Sequence, residues 1–104
     1  MPISRKKFPP CPIERTLAAL SGRWKAMIVW QLFDAPRRYS DLADAIDDIT
    51  PRALTYALRE LEQDGVVGKH EGRWQLTALG AALEAPMRSL YAWGERHALA
   101  FPDR

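Results

Sequence analysis

Five side chains between positions 50 and 59 have the types and spacing to read a nucleic-acid duplex: Thr50, Arg52, Thr55, Tyr56 and Arg59. Leu54, Leu58 and Leu61 recur among them at intervals of four and three, the period of a helix with one apolar face. With those leucines turned inward, Arg52, Thr55, Tyr56 and Arg59 lie on the outer flank. An arginine can donate two hydrogen bonds to guanine O6 and N7, and a threonine methyl or tyrosine edge can meet a thymine methyl. Thr50 and Arg52, near the helix N-terminus, would enter a major groove first, whereas Arg59 is placed for a phosphate. The same pattern fits a solvated face with ordinary surface arginines, and such geometry also serves protein-interaction modules.

Other basic groups stand where a phosphate backbone could be held. Arg23 and Lys25 begin a strongly apolar segment, and Arg38 and Ser40 precede another helical run. Helix N-termini offer unpaired N–H groups, and a nearby cation adds to their pull on phosphate. Solubility charges would look the same. Lys69 and Arg73 flank a Glu71-Gly72 turn, at the tip of a hairpin able to reach flanking phosphates. Cys11 sits between Pro10 and Pro12, with Lys7 and Arg15 close in sequence. A helix N-terminus and nearby cations raise a thiol's reactivity toward oxidants and electrophiles, making Cys11 a candidate redox sensor. The alternative is a small residue packed part-buried between dimer partners.

Several classes of function are excluded or disfavoured. One cysteine permits neither an internal disulfide nor a Cys-rich metal site. Asp41, Asp44, Asp47 and Asp48 read as a solvated acidic face rather than a cation site, and His70 and His97 lack partners at ligand spacing. With neither a Gly-rich phosphate loop nor a nucleophile elbow, no catalytic residue, metal or cofactor is expected, and the chain is not read as an enzyme. At 104 residues, one domain with a modest core is expected, without a deep cleft. The composition, 47% apolar and 27% charged, is that of a globular chain rather than a disordered one. A net charge of +2 is too small to identify a nucleic-acid partner by itself, so the distribution of charge matters more. Neither a membrane-spanning apolar run nor a secretory pattern is read, so no membrane partner and a cytoplasmic location are expected.

The elements that must position these residues follow from caps and periodicity. Residues 1–10, with Arg5, Lys6 and Lys7, read as a basic flexible arm, and 11–104 as one domain. Pro12 suits the first turn of a helix carrying Ile13, Leu17 and Leu20, which Ser21-Gly22 stops. A second helix, about Trp24 to Phe33, is apolar nearly all round, as a central buried helix is. Ser40 can cap a third, Asp41 to about Asp47, facing the core through Leu42, Ala45 and Ile46. Thr50 caps the fourth, Pro51 takes its first position, and Gly65 stops it in the left-handed region. Val66 to His70 and Arg73 to Leu76 form the hairpin. Thr77 caps a last helical region with Leu79, Leu83, Met87, Leu90, Gly94, His97 and Phe101 at helical spacing, which Pro86 is expected to kink or split. Trp24, Trp30 and Trp74 are assigned to the core. Trp93, with Leu90 and Tyr91, would leave apolar surface in water unless a second copy covers it.

The order of these blocks carries a resemblance. Cys11-Pro12-Ile13-Glu14-Arg15-Thr16-Leu17, Gly22-Arg23-Trp24-Lys25, Pro36-Arg37-Arg38-Tyr39-Ser40-Asp41-Leu42, the Leu54–Val67 block, Leu76-Thr77-Ala78-Leu79-Gly80 and Trp93-Gly94-Glu95 appear in register. Together they resemble the HxlR-type winged helix-turn-helix transcriptional regulators, relatives of the MarR group, over nearly all of the chain from Cys11 to His97. The resemblance implies an α+β, mostly helical fold: a winged helix-turn-helix with a two-stranded wing and terminal dimerisation helices. It implies a homodimeric repressor or activator bound to double-stranded DNA at a near-palindromic operator. The DNA-reading unit would be residues 38–76, and the dimerising helices 12–21 and 78–100, meeting through Leu17, Met87, Leu90, Tyr91, Trp93, Gly94 and His97. Some relatives use a cysteine in the first block as a sensor, so an oxidant or small-molecule effector is a further expectation. The chain departs from the pattern at the wing, where relatives carry a longer loop with Tyr-Pro and Pro-Pro. A stubby hairpin would contribute less of the affinity here.

Overall fold

Thr50 and Pro51 begin the element on which the others are arranged. The Thr50 side chain accepts a hydrogen bond from the Ala53 N–H at 3.0 Å, and Pro51 occupies the first position of a helix spanning Pro51–Gln63. In the computed structural model, which describes residues 8–98, this is the fourth of six helices. The basic arm with Arg5, Lys6 and Lys7, and Phe101 near the other end, lie outside the described residues.

Among the described residues the order is α1 (Pro12–Ala19), α2 (Lys25–Leu32), α3 (Tyr39–Ala45), α4 (Pro51–Gln63), β1 (Val67–His70), β2 (Arg73–Leu76), α5 (Ala78–Ala81) and α6 (Glu84–His97). The core sits where α2, α3 and α4 meet the hairpin. Ile28, Val29 and Leu32 of α2 pack with Leu42 of α3, Ile46 just beyond it, and Leu54, Leu58 and Leu61 of α4. Val66, Val67 and Trp74 close the core from the wing side, and Trp24 and Trp30 lie partly buried against it.

Gly65 has φ +78°, which stops α4 as its position predicts. The strands pair antiparallel from Val67↔Leu76 to His70↔Arg73. Glu71 (φ +50°) and Gly72 (φ +77°) make the two-residue turn between them, both in the left-handed region that such hairpins require. Arg37 adds a third, one-residue strand. Its N–H donates to the Trp74 carbonyl at 2.9 Å, and the Trp74 N–H returns a bond to the Arg37 carbonyl at 2.7 Å.

Three boundaries differ from expectation. Ser40 does not cap α3: Arg38 holds the cap position, and the Asp41 carboxylate accepts from the Arg38 N–H at 3.0 Å. The helix starts two residues earlier than a Ser40 cap would place it, and the Asp41 carboxylate at its third position reaches back to the cap residue's N–H. The helix then ends at Ala45, which is exposed, and Asp48 takes φ +67°. Pro86 does not split the last helix. The break falls earlier, at Ala82 and Leu83, and Pro86 sits in the first turn of α6, where a missing N–H forfeits no helical bond.

The α5 turn is fastened to the end of α4. Thr77 Oγ1 accepts from the Gly80 N–H at 3.2 Å and donates to the Gly65 carbonyl at 2.5 Å, while the Thr77 N–H reaches the Val66 carbonyl at 3.1 Å. This brings Gly80 so close to the Val66 carbonyl oxygen that any Cβ at position 80 would collide with it. Gly80→Ala is therefore expected to destabilise the fold by about 2 kcal/mol, through forced backbone movement in a packed site. Urea unfolding followed by tryptophan fluorescence, at fixed protein concentration, measures this; an unshifted midpoint would contradict it.

Candidate nucleic-acid interface

Burying Leu54, Ala57, Leu58 and Leu61 turns the other side of α4 to solvent. Arg52, Tyr56 and Arg59 are exposed there, with Tyr56 retaining 54% of its surface, and Thr55 is half-buried at the edge. No other described element covers this face. Thr50 is exposed as well, although its hydroxyl oxygen already caps the helix.

Two neighbours flank the face. On one side the α1–α2 turn and the first half of α4 enclose a groove of about 430 Å³, lined among others by Arg23, Trp24, Thr50, Arg52 and Tyr56. The Arg23 guanidinium lies 4.3 Å from the centre of the Trp24 ring, a cation–π contact that holds it at the rim. On the other side stands Tyr39, at the start of α3. Its hydroxyl reaches the Pro51 carbonyl at 2.9 Å and the Thr55 Oγ1 at 3.2 Å, joining the two helices of the helix-turn-helix. Tyr39 was not among the sequence candidates. Its signal is a polar-tipped aromatic beside a helix start, where a phenol can reach a neighbouring helix's first carbonyls.

Of the expected phosphate contacts, Arg23, Arg38, Ser40, Lys69 and Arg73 are exposed. Arg38 belongs with the wing: its Nη1 lies 3.8 Å from where a Cβ at position 72 would be, so its guanidinium abuts the hairpin turn. The Lys69 ammonium leans over the Trp74 ring at 5.5 Å from its centre. Lys25 corrects the expectation. It is only 4% exposed, and its Nζ lies 3.3 Å from Glu60 Oε1 and 3.5 Å from the Ala18 carbonyl. A buried ammonium so paired cannot reach a phosphate without giving up both contacts and leaving its place in the fold. The sign of this was in the spacing: position 25 precedes Ile28, Val29 and Leu32 by three, four and seven, which puts it on the buried face of α2.

The residues assigned to a dimer interface divide. Leu17 and Leu90 are 59% and 64% exposed, and Ile13 and Trp93 are exposed near them in sequence on the same two helices. Tyr91 stacks on Trp30 of its own chain, with ring centres 4.8 Å apart and planes 12° from parallel, and keeps an exposed face. His97 rests against Trp93 at 4.9 Å, and Gly94 is half-buried between them in sequence. Met87 is a correction: only 7% exposed, it is part of the chain's own core rather than a surface for a partner. Leu83, one helical turn earlier, is partly buried against the same core.

Cys11 occupies the N-cap of α1, half-buried and free, and its carbonyl accepts the Arg15 N–H at 2.9 Å. Among the described residues, no group of three or more His, Cys, Asp or Glu is placed to hold a metal ion, and no helix is long and apolar enough to cross a membrane.

The arrangement has relatives. The HxlR-like helix-turn-helix family matches residues 19–100. An uncharacterised HTH-type transcriptional regulator of Bacillus subtilis (strain 168), YdeP, is 34% identical over 101 residues, covering 90% of this chain and 79% of that protein. Among solved structures, quinone-bound YodB from B. subtilis superposes with a TM-score of 0.77 at 32% identity, over 83% of this chain and 99% of that one. The redox regulator HypR in its reduced form gives a TM-score of 0.78 at 33% identity, over 85% and 94%.

Lys25→Ala is expected to lower stability by about 3 kcal/mol, because it removes the ion pair to Glu60 and leaves a cavity where the buried lysine stem packs. Arg23→Ala, at the surface, should change it by no more than about 0.5 kcal/mol. Parallel urea titrations of the two variants check the contrast, and equal midpoints would refute it.

Proposed function

The chain belongs to the HxlR-like helix-turn-helix family, and from that membership we propose a homodimeric, sequence-specific regulator that lays α4 in the major groove of double-stranded DNA. That it is a transcriptional regulator with a helix-turn-helix DNA-binding fold follows from the family. The finer reading rests on one observation above all. The leucine face of α4 is consumed by the core, while Arg52, Tyr56 and Arg59 stand free along its other side.

In this reading Arg52 and Thr55 approach base edges near the helix N-terminus, with Tyr56 beside them, and Arg59 meets a phosphate. Arg23 on one flank, and Arg38, Ser40, Lys69 and Arg73 on the other, hold the backbone and fix the register without reading sequence. A wing of two four-residue strands reaches flanking phosphates only. The apolar side chains exposed on α1 and α6, Leu17, Leu90 and Trp93, supply the surface for a second copy. Two-fold pairing then sets two reading helices about 34–36 Å apart on a near-palindromic operator. A dimer seated over a promoter would exclude polymerase, which makes repression the expected sign. A DNA partner would place the protein in the cytoplasm.

Two relatives bear on effectors, since YodB was crystallised with quinone and HypR is a redox regulator. Cys11 is the corresponding opportunity here. With one cysteine in the chain, its oxidised product would be an intersubunit disulfide or a mixed adduct.

Binding to duplex DNA should weaken steeply with salt through counterion release, by about a thousandfold between about 50 and 200 mM. Fluorescence anisotropy over a salt series measures the slope, and a flat response would favour a protein-interaction module instead. Arg52→Ala should cost about 1–3 kcal/mol on the preferred sequence and little on random DNA, whereas Arg23→Ala should weaken both alike. Equal losses from the two variants on random DNA would refute that division. Leu90→Glu should shift the protein to monomer in sedimentation equilibrium, and an undisturbed dimer would remove α6 from the interface.

A further inference from the structure

Tyr39 and Thr55 form a hydroxyl pair at the edge of the exposed face of α4, and proton counting fixes its polarity. A phenol has one proton to donate, and a carbonyl oxygen can only accept. The Tyr39 hydroxyl lies 2.9 Å from the Pro51 carbonyl, so its proton is committed there. At 3.2 Å from the same phenol oxygen, Thr55 Oγ1 can complete a hydrogen bond only by donating its own proton. The directions are therefore Thr55 to Tyr39 to Pro51. Thr55 keeps lone pairs to offer outward and has no proton left.

From this we infer that Tyr39 is a specificity-determining, positioning residue: it makes Thr55 an acceptor-only reader, which favours a base presenting an amino group. In the major groove those bases are adenine, through N6, and cytosine, through N4; guanine and thymine present acceptors at the equivalent place. A threonine hydroxyl left to rotate serves either kind of partner. The inference rests on the proposed seating of α4 in the major groove. It adds a directional rule at one base position that the helix alone does not impose.

The test is selection from a randomised duplex library by the full-length dimer and three variants: Thr55→Val, Tyr39→Phe and the double variant. The position whose preference changes in Thr55→Val is the one beneath Thr55. The wild type is expected to select adenine or cytosine there. Tyr39→Phe frees the threonine proton and should cut that preference by about threefold to tenfold, the worth of one hydrogen bond, at that position alone. In the Thr55→Val background, Tyr39→Phe should change nothing further. Guanine or thymine selected at that position by the wild type would overturn the inference. So would a Tyr39→Phe variant that keeps the preference or weakens every sequence alike. A wild type that enriches no sequence at all overturns the seating of α4 and this inference with it, whereas an enriched sequence indifferent to Tyr39 overturns the inference alone.

Discussion

Burial of one face of α4 is the constraint on which the fold and its function both depend. Leu54, Leu58 and Leu61 are almost wholly removed from water against α2 and α3. At about 1.5–3 kcal/mol each, three leucines outweigh any other local preference of a thirteen-residue helix. A turn of the helix by one residue, about 100°, would drive Arg59 into the place of Leu58 and move Leu54 and Leu61 out to where the half-buried Ala53 and Glu60 now lie. The outer face is thus fixed by what the inner face must do. The face that α4 offers to solvent is what this packing leaves over.

Hydrophobic burial is not directional, so it sets which side of α4 is hidden more firmly than where the helix lies along its axis. Polar contacts supply that remainder. At the N-terminal end, Thr50 caps the helix and Tyr39 ties Pro51 and Thr55 to α3. Farther along, the Lys25 ammonium, at the start of α2, joins Glu60 of α4 to the Ala18 carbonyl near the end of α1. At the C-terminal end, Gly65 stops the helix and Thr77 holds that stop to α5. These contacts are distance-limited, so each fixes a position that oily surfaces would leave free to slide.

The chain also leaves large apolar side chains in solvent. Ile13, Leu17, Leu90 and Trp93 stand out from α1 and α6, while the neighbouring Met87 and Tyr91 turn back onto the chain's own core and onto Trp30. One side of α6 therefore packs on the rest of the chain, and its other side stays in solvent. The short wing follows the same economy. Two strands and a two-residue turn suffice because Arg37 pairs with Trp74 and gives the hairpin a third neighbour.

Elements with a local cause were legible in the residues. Thr50-Pro51, Gly65, the Glu71-Gly72 turn and the leucine stripe each depend on neighbours within four positions, and each stands where chain chemistry puts it. Contacts between distant segments were not. Nothing near Lys25 in sequence names Glu60, and nothing near Tyr39 names Thr55. The same holds for Arg37 against Trp74, and for Gly80 against the Val66 carbonyl. The sequence alone determined the helices, the hairpin and the residues that α4 can present. Tertiary structure decided which of the basic groups are free to act, because a cation's role depends on the carboxylate that folding brings beside it.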